Sequence, residues 1–262
     1  MTKALLYCAH PGHELRLYGW LRAVRPTVCF LTDGSGADGT PRLERSSDVI
    51  DSAGAIAGPM YGSVSDRAVY AALLAGETGL FHALAEALAA ELAEGGYDAI
   101  VGDAAEGYNP SHDVARMLVD SAVEMARRGG AHIDNYAFPL VGHPQHPPAG
   151  TTAGPLPLQL DDATLEAKIE CGRAYARETG GILVSEVDEA IERFGIDAFR
   201  QERLFVAGAP SELIVAFDDN VPFYETYGAQ QVASGKYASA IRWKDHVRPL
   251  ARALGQTVGG PA

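Results

Sequence analysis

The sequence predicts an α/β fold in which a Rossmann-like, mainly parallel sheet is flanked by helices and followed by an α-rich C-terminal region. Short apolar runs alternate with segments of helical length through the N-terminal half. Such alternation is typical of βαβ units around a parallel sheet. Two of the apolar runs end directly in clusters of histidine and acidic residues. That placement is typical of open sheets that bind ligands at the carboxyl ends of their strands.

The elements of the N-terminal half follow from apolar pattern and end signals. The clearest helix covers 78–95, where four leucines recur at four-residue spacing and Gly95-Gly96 ends the pattern. Asn109 or Ser111 caps the last helix of this half. Strands are predicted at 4–9, 27–32 and 97–101, and further helices at 15–24, 43–55, 67–75 and 112–128.

The C-terminal part begins with a stretch, 139–157, that is crowded with proline and glycine and predicts a long surface loop or lid. Beyond it the pattern predicts helices at 163–177 and 187–199 and a strand at 213–217. We therefore divide the chain into a Rossmann-like, metal-binding core at 1–140 and a region at 141–262 that completes or caps the same domain.

Composition excludes several classes of function. The 262 residues include 34 acidic and 21 basic side chains, a net charge of -13, which opposes binding to nucleic acid or to an anionic membrane. The three cysteines give no disulfide framework and indicate a reducing compartment. Residues 1–9 lack the apolar run of a signal peptide, and no run approaches the ~20 residues of a membrane span. We expect a cytoplasmic protein whose oligomeric state is left open.

Two polar clusters carry the functional signal. His10, His13 and Glu14 follow the first strand, and a second cluster follows the 97–101 strand and ends at His112. Loops after neighbouring parallel strands meet over one edge of the sheet, so we expect the clusters to converge. Neutral imidazoles and carboxylates are ligands for a zinc-type ion. The competing interpretation is a metal-free protein in which these histidines only cap helices or form hydrogen bonds.

These residues resemble the LmbE-like, or PIG-L, family of zinc-dependent N-deacetylases. The family has Ala-His-Pro-Asp-Asp-Glu after strand one, and residues 9–14 here read Ala-His-Pro-Gly-His-Glu. Its Leu-Thr-x-Gly segment corresponds to 31–34, and its His-Pro-Asp-His motif to Asn-Pro-Ser-His at 109–112. Asp66 lies where the family has a later acidic residue. The resemblance covers about residues 3–130.

The resemblance implies a metal site and a reaction. His10 and His112 match metal-binding histidines, and His13 matches a metal-binding aspartate, so the implied ligands of Zn²⁺ or another divalent metal are three histidines. The implied activity is removal of an N-acyl group from an amino sugar or a related small metabolite. The expected partner is therefore a small-molecule, amino-sugar-like substrate.

Two departures from the family pattern leave the activity open. Gly12 replaces the family's general base, and Asn109 replaces a histidine that stabilises the charged transition state. Asn109 and Tyr108 are then the candidate oxyanion donors. Either a nearby carboxylate has taken over as the base, or the protein binds a metal without acting as a deacetylase. The candidate carboxylates are Glu14, Asp103, Glu106 and Asp113.

Overall fold

A seven-stranded sheet forms the centre of the computed structural model, which describes residues 3–36, 39–180, 182–208, 217–218 and 220–258. The sheet order is β3-β2-β1-β4-β5-β9-β6; the first four junctions are parallel, and β9 runs antiparallel to both of its neighbours. This is the predicted α/β class with a mainly parallel sheet. The strands are β1 (Ala4–Cys8), β2 (Thr27–Thr32), β3 (Ile56–Val64), β4 (Ala99–Asp103), β5 (Asp134–Phe138), β6 (Thr151–Ala153) and β9 (Phe205–Ala207), with β7 (Leu158–Gln159) and β8 (Gln201–Glu202) forming a separate antiparallel pair.

Helices cover both faces of this sheet. The described ranges also contain 3₁₀ turns at His13–Leu17 and Ile196–Phe199 and a π turn at Trp243–Val247. Among the described residues, no helix is both long enough and apolar enough to cross a membrane. The α-helices whose bounds lie within the described residues are α1 (Tyr18–Val24), α2 (Leu43–Ala53), α3 (Asp66–Ala75), α4 (Gly79–Gly95), α5 (Pro110–Arg128), α6 (Asp162–Glu178), α7 (Ile182–Phe194), α8 (Phe223–Ala233) and α9 (Arg248–Val258).

The core lies in two layers because successive side chains of a strand point to opposite faces. On β1, Leu5 and Tyr7 join the layer that contains the buried sides of α4, α5 and α9, whereas Leu6 and Cys8 join the layer against α1 and α2. All five β1 residues are buried. The first strand is thus central to both layers, which holds its carboxyl end rigidly.

Several elements differ from the sequence prediction. The edge strand β3 was not predicted, because Gly58, Pro59 and Gly62 interrupt its pattern and its pairing with β2 contains register shifts. Nor was β5. The helix predicted at 187–199 is split, since α7 ends at Phe194 and Gly195 has a φ of 78° before the following turn. The strand predicted at 213–217 falls almost wholly outside the described residues.

The topology creates a crevice between β1 and β4. From β1 the chain extends the sheet to one side through β2 and β3, and from β4 it extends the sheet to the other side through β5. The loops that leave the carboxyl ends of β1 and β4 therefore diverge, and ligands of open α/β sheets bind at such a point. Both polar clusters of the sequence lie there.

Candidate functional site

Three imidazoles meet at the carboxyl ends of β1 and β4. The ring centroids of His10 and His13 are 5.2 Å apart, those of His10 and His112 are 5.1 Å apart, and those of His13 and His112 are 4.6 Å apart. His10 and His112 are only 7% and 8% exposed. The two polar clusters of the sequence therefore converge as expected, because their three imidazole rings are in contact.

The turn after β1 is held by a buried carboxylate. Gly12 has a φ of 105°, a conformation that favours glycine. Its backbone N–H donates to Glu14 Oε2 over 2.7 Å, and the hydroxyl of Ser46 donates to Glu14 Oε1 over 2.7 Å. Burial raises the pKa of Glu14 to about 7, although these hydrogen bonds act in the opposite direction. Glu14 thus links the histidine turn, residues 10–14, to α2.

The tautomer of His10 follows from its neighbours. Its Nδ1 lies 2.7 Å from Thr32 Oγ1, and the Thr32 hydroxyl donates in turn to the carbonyl oxygen of Ala9 over 3.2 Å. Because that hydroxyl has one proton, Nδ1 of His10 must be the donor. Asp66 Oδ1 lies 3.0 Å from the same nitrogen and adds electrostatic support, since the N–H points to Thr32. The neutral form of His10 therefore has its lone pair on Nε2.

Asp66 is a carboxylate to which the sequence analysis gave no role. Burial raises the pKa of its carboxyl group, but the contacts with His10, Thr32 and the backbone N–H of Gly36 outweigh burial and hold the pKa below its ordinary value. Asp66 is the first residue of α3, directly after β3. A prediction of β3 would have placed it at the same sheet edge as His10, and that strand was missed.

Asp103 holds His13 by a direct hydrogen bond. Its Oδ2 lies 2.8 Å from Nδ1 of His13 and also accepts the backbone N–H of Ala9 over 2.7 Å. A carboxylate accepts only, so His13 also carries its proton on Nδ1. Burial lowers the pKa of His13, and Asp103 opposes this effect in part. The last residue of β4 thus orients an imidazole from the loop after β1.

His112 comes from the first turn of α5. The carbonyl oxygen of the Asn109 side chain caps this helix by accepting the backbone N–H of Ser111 over 2.8 Å, and it also accepts the hydroxyl of Tyr70 over 3.2 Å. Burial, with smaller contributions from His13 and His10, lowers the pKa of His112 well below its ordinary value. Two of the three imidazoles are therefore held in the neutral form that binds metals.

The donor types fit a zinc-type ion. Imidazoles bound to one tetrahedral ion have ring centroids roughly 5 Å apart, given Zn–N distances of about 2.0–2.1 Å, and the three rings have that spacing. Carboxylates that hold Nδ1–H of ligand histidines are the usual second partners in zinc sites. However, among the described residues no group of three or more His, Cys, Asp or Glu side chains is arranged so that it could hold a metal ion. Metal binding would therefore require these side chains to rearrange.

The remaining carboxylates of the prediction contact backbone N–H groups. Glu106 accepts the N–H groups of Leu140, Val141 and Gly142 at 2.6–2.9 Å. Asp113 accepts those of Glu106 and Gly107, both at 3.1 Å, and its burial raises the pKa to about 8. These two side chains connect loops at the edge of the site, while Asp103 contacts an imidazole directly.

A cavity of about 190 Å³ opens beside the imidazoles. His13, His112 and Gly12 line it, and so does Tyr108, whose ring is 6.5 Å from that of His112. Tyr175 of α6 also lines it and occupies the space beside Gly12: a Cβ added at Gly12 would lie 2.9 Å from the Tyr175 ring. Sequence reasoning missed Tyr175 because the contact joins residues far apart in the chain.

The fold is shared with known structures, although sequence comparison alone finds nothing. No family model matches the chain, and no curated protein matches its sequence. A triple mutant of a deacetylase involved in the teicoplanin biosynthetic pathway superimposes with a TM-score of 0.51 and 14% identity, covering 78% of this chain and 97% of that one. The conserved protein TT1542 from Thermus thermophilus gives 0.50 and 17%, covering 79% and 94%. At these identities the likeness shows a common α/β, deacetylase-like fold.

Proposed function

We propose that this protein is a divalent-metal-dependent hydrolase that removes an N-acyl group from an amino sugar or a related small metabolite. The observation that carries the proposal is the cluster of His10, His13 and His112 at the β1–β4 crevice. Two of its rings are held through Nδ1 and so have Nε2 lone pairs available. The likeness of the fold to that of a deacetylase supports the same reaction class.

The side chains would have distinct roles in this reaction. His10, His13 and His112 would hold Zn²⁺ or another divalent ion, which when bound polarises a carbonyl group and lowers the pKa of a water. Asp103 would orient His13, Thr32 would orient His10, and the negative charge of Asp66 beside His10 would increase the basicity of that imidazole.

The oxyanion donors would come from the start of α5. The Asn109 side-chain oxygen already accepts two hydrogen bonds, so its NH₂ group remains to donate. The hydroxyl of Tyr108, from the wall of the cavity, would be a second donor to a carbonyl oxygen that gains negative charge.

A second candidate is a protein that binds a metal ion without hydrolysing amides. One observation favours it: position 12, where the family has its general base, is a glycine against Tyr175. In addition, Glu14, Glu106 and Asp113 already accept hydrogen bonds from the turn and loops that they hold. Loss of a general base typically costs about 10²–10⁴-fold in rate.

The test combines elemental analysis with an acetate-release assay. Purified protein would be analysed for bound metal and then incubated with a panel of N-acetylated amino sugars. We expect stoichiometric metal and turnover that His112→Ala abolishes. His132→Ala, an exposed histidine after α5, is the matched control and should keep both properties. Metal without turnover across the panel would favour the second candidate, and absence of metal would exclude both.

A further inference from the structure

The charge of the cavity wall is opposite to that of the whole protein. The chain has an excess of 13 acidic side chains, yet the wall contains three cations, Arg16, Arg42 and Lys168, against one carboxylate, Glu186. A concave wall of one sign concentrates ligands of the opposite sign. The cavity beside the imidazoles is therefore suited to an anion.

Two of these cations form no ion pair with any residue that the structure describes. Lys168 Nζ lies 2.7 Å from Glu202 Oε1 and is neutralised by it. In contrast, Arg16 donates to the carbonyl oxygen of Leu140, and Arg42 donates from Nε to the carbonyl oxygen of Gly34 over 2.8 Å. Within the described part of the chain, no carboxylate oxygen lies within 4.0 Å of either guanidinium. Most of the five N–H donors of each group remain for a ligand.

Both guanidinium groups are partly withdrawn from water. Arg16 and Arg42 are intermediate in exposure, and the guanidinium carbon of Arg16 lies 5.3 Å from the centre of the Phe199 ring. Glu106 and Glu186 attract Arg16, and Glu186 and Glu14 attract Arg42, but none of them contacts the guanidinium directly. A cation taken out of water is costly unless it is paired and hydrogen-bonded. An anionic ligand would supply that direct pair, and the planar N–H fork of arginine matches a carboxylate.

The rest of the wall is mostly apolar. Leu140, Ile169 and Phe199 are buried side chains of this wall, and Val187 and Ile191 of α7 extend it. These residues could cover an aliphatic or aromatic group but offer no hydrogen bonds to sugar hydroxyls. The wall as a whole therefore combines imidazoles, cations and apolar side chains.

We propose that the cavity selects an N-acyl compound that carries a carboxylate and an apolar side group, as N-acyl amino acids do. This inference rests on the proposed function for the bond that is broken, but not for the binding of the carboxylate. The amide faces the imidazoles, the carboxylate pairs with Arg16 and Arg42, and the apolar group lies against Ile169 and Ile191. The arginines are then specificity-determining residues of the site.

Calorimetric titration of the purified protein tests this directly. The probes are N-acetyl-L-leucine and its neutral isostere N-acetyl-L-leucinamide, with N-acetylglycine to isolate the apolar group and N-acetylglucosamine 6-phosphate as an anionic sugar. We expect N-acetyl-L-leucine to bind about tenfold or more tightly than the amide, as a charged hydrogen-bonded pair implies. Equal affinity for acid and amide, or tighter binding of the sugar phosphate, would overturn the proposal.

Variants assign the preference to the arginines. Arg16→Gln and Arg42→Gln should each reduce the acid-over-amide preference severalfold, while Arg177→Gln, an exposed arginine of α6, should leave it unchanged. Circular dichroism checks that each variant is folded. Because the two arginines are substituted separately, the variants provide independent tests. A preference that survives both substitutions would contradict the assignment.

The anion site and the hydrolase activity can be tested separately. In His112→Ala we expect hydrolysis to be lost but the acid-over-amide binding preference to persist. Arginine-dependent binding of N-acetyl-L-leucine without turnover of any amide would refute the hydrolase and retain the anion site. Turnover of neutral N-acetyl amino sugars with no effect of charge on affinity would retain the hydrolase and refute the anion site.

Discussion

At residue 12 the backbone and the packing both require glycine. The φ of 105° is unfavourable for a side chain, and the ring of Tyr175 occupies the place where one would begin. Any larger side chain at position 12 would require a change at α6 as well as at the turn, so the glycine is part of the packing of the site.

A paired substitution measures this constraint. Gly12→Ala should lower the free energy of unfolding by about 1–3 kcal/mol, because it combines an unfavourable backbone conformation with a contact against Tyr175. Urea denaturation followed by fluorescence gives the value. Gly79→Ala is the control, since a Cβ there meets nothing within 4 Å. Equal changes in the free energy of unfolding for the two variants would show that position 12 does not specifically require glycine.

The carboxylate behind His13 provides a second test at this scale. Asp103→Asn removes the charge that holds the imidazole through Nδ1, so the affinity for Zn²⁺ should fall about 10–100-fold. Competition with a chromophoric chelator measures the dissociation constant. Asp134→Asn changes an exposed carboxylate at the start of β5 and should leave it unaltered. An unchanged affinity in Asp103→Asn would mean that His13 does not bind the ion.

At the scale of elements, buried carboxylates connect segments that are distant in the sequence. Glu106 holds the start of the proline-rich stretch by three backbone N–H groups. Glu202 of β8 accepts the N–H groups of Gly19 and Trp20 near the start of α1 and pairs with Lys168 of α6. These links position α1 and α6, and α6 in turn carries Tyr175 to the histidine turn.

Comparison of a buried with an exposed ion pair on α6 tests the role of Glu202. Glu202→Gln leaves the buried Lys168 ammonium without its counter-charge, so the free energy of unfolding should fall by about 3–5 kcal/mol. Glu170→Gln breaks the exposed pair with Arg177 and should cost at most about 1 kcal/mol. Chemical denaturation of both variants gives the two values. Similar losses would contradict the structural role of Glu202.

The elements differed in how well the sequence predicted them. The helix at α4 and the strands β1, β2 and β4 were predicted because their apolar patterns are continuous. By contrast, β3 contains glycine and proline and is largely unburied, so its pattern gives no local signal and its pairing with β2 defines it. Missing β3 also concealed the partnership of Asp66 with His10.

At the scale of the whole molecule, the C-terminal helix belongs to the main core. Leu250 and Leu254 of α9 are in the same hydrophobic cluster as Leu5 and Tyr7 of β1, together with buried residues of α4 and α5. The core around the first strand is therefore completed by a segment almost at the other end of the chain. This packing supports our proposal that the C-terminal region completes the same domain.

Truncation of one side chain tests whether the chain unfolds as a unit. Leu254→Ala removes a side chain that is 2% exposed and should destabilise the protein by about 2–5 kcal/mol. Tryptophan fluorescence and far-ultraviolet circular dichroism should report one coincident transition. Leu156→Ala, at a side chain that is 96% exposed, should change stability by less than about 0.5 kcal/mol. Two separate transitions would instead indicate an independent C-terminal unit.

The sequence by itself determined the α/β class and the histidine-rich turn after β1, because both depend on residues that are near one another in the chain. Only the tertiary structure decided that Thr32 and Asp103 hold the imidazoles of His10 and His13, and that Tyr175 occupies the space beside Gly12. It also decided that Arg16 and Arg42 share one cavity. Those contacts join residues from different elements, and the packing of the helices on the sheet brings them together. The turn at Gly12 is recognised locally, but its chemistry is set by what the fold places against it.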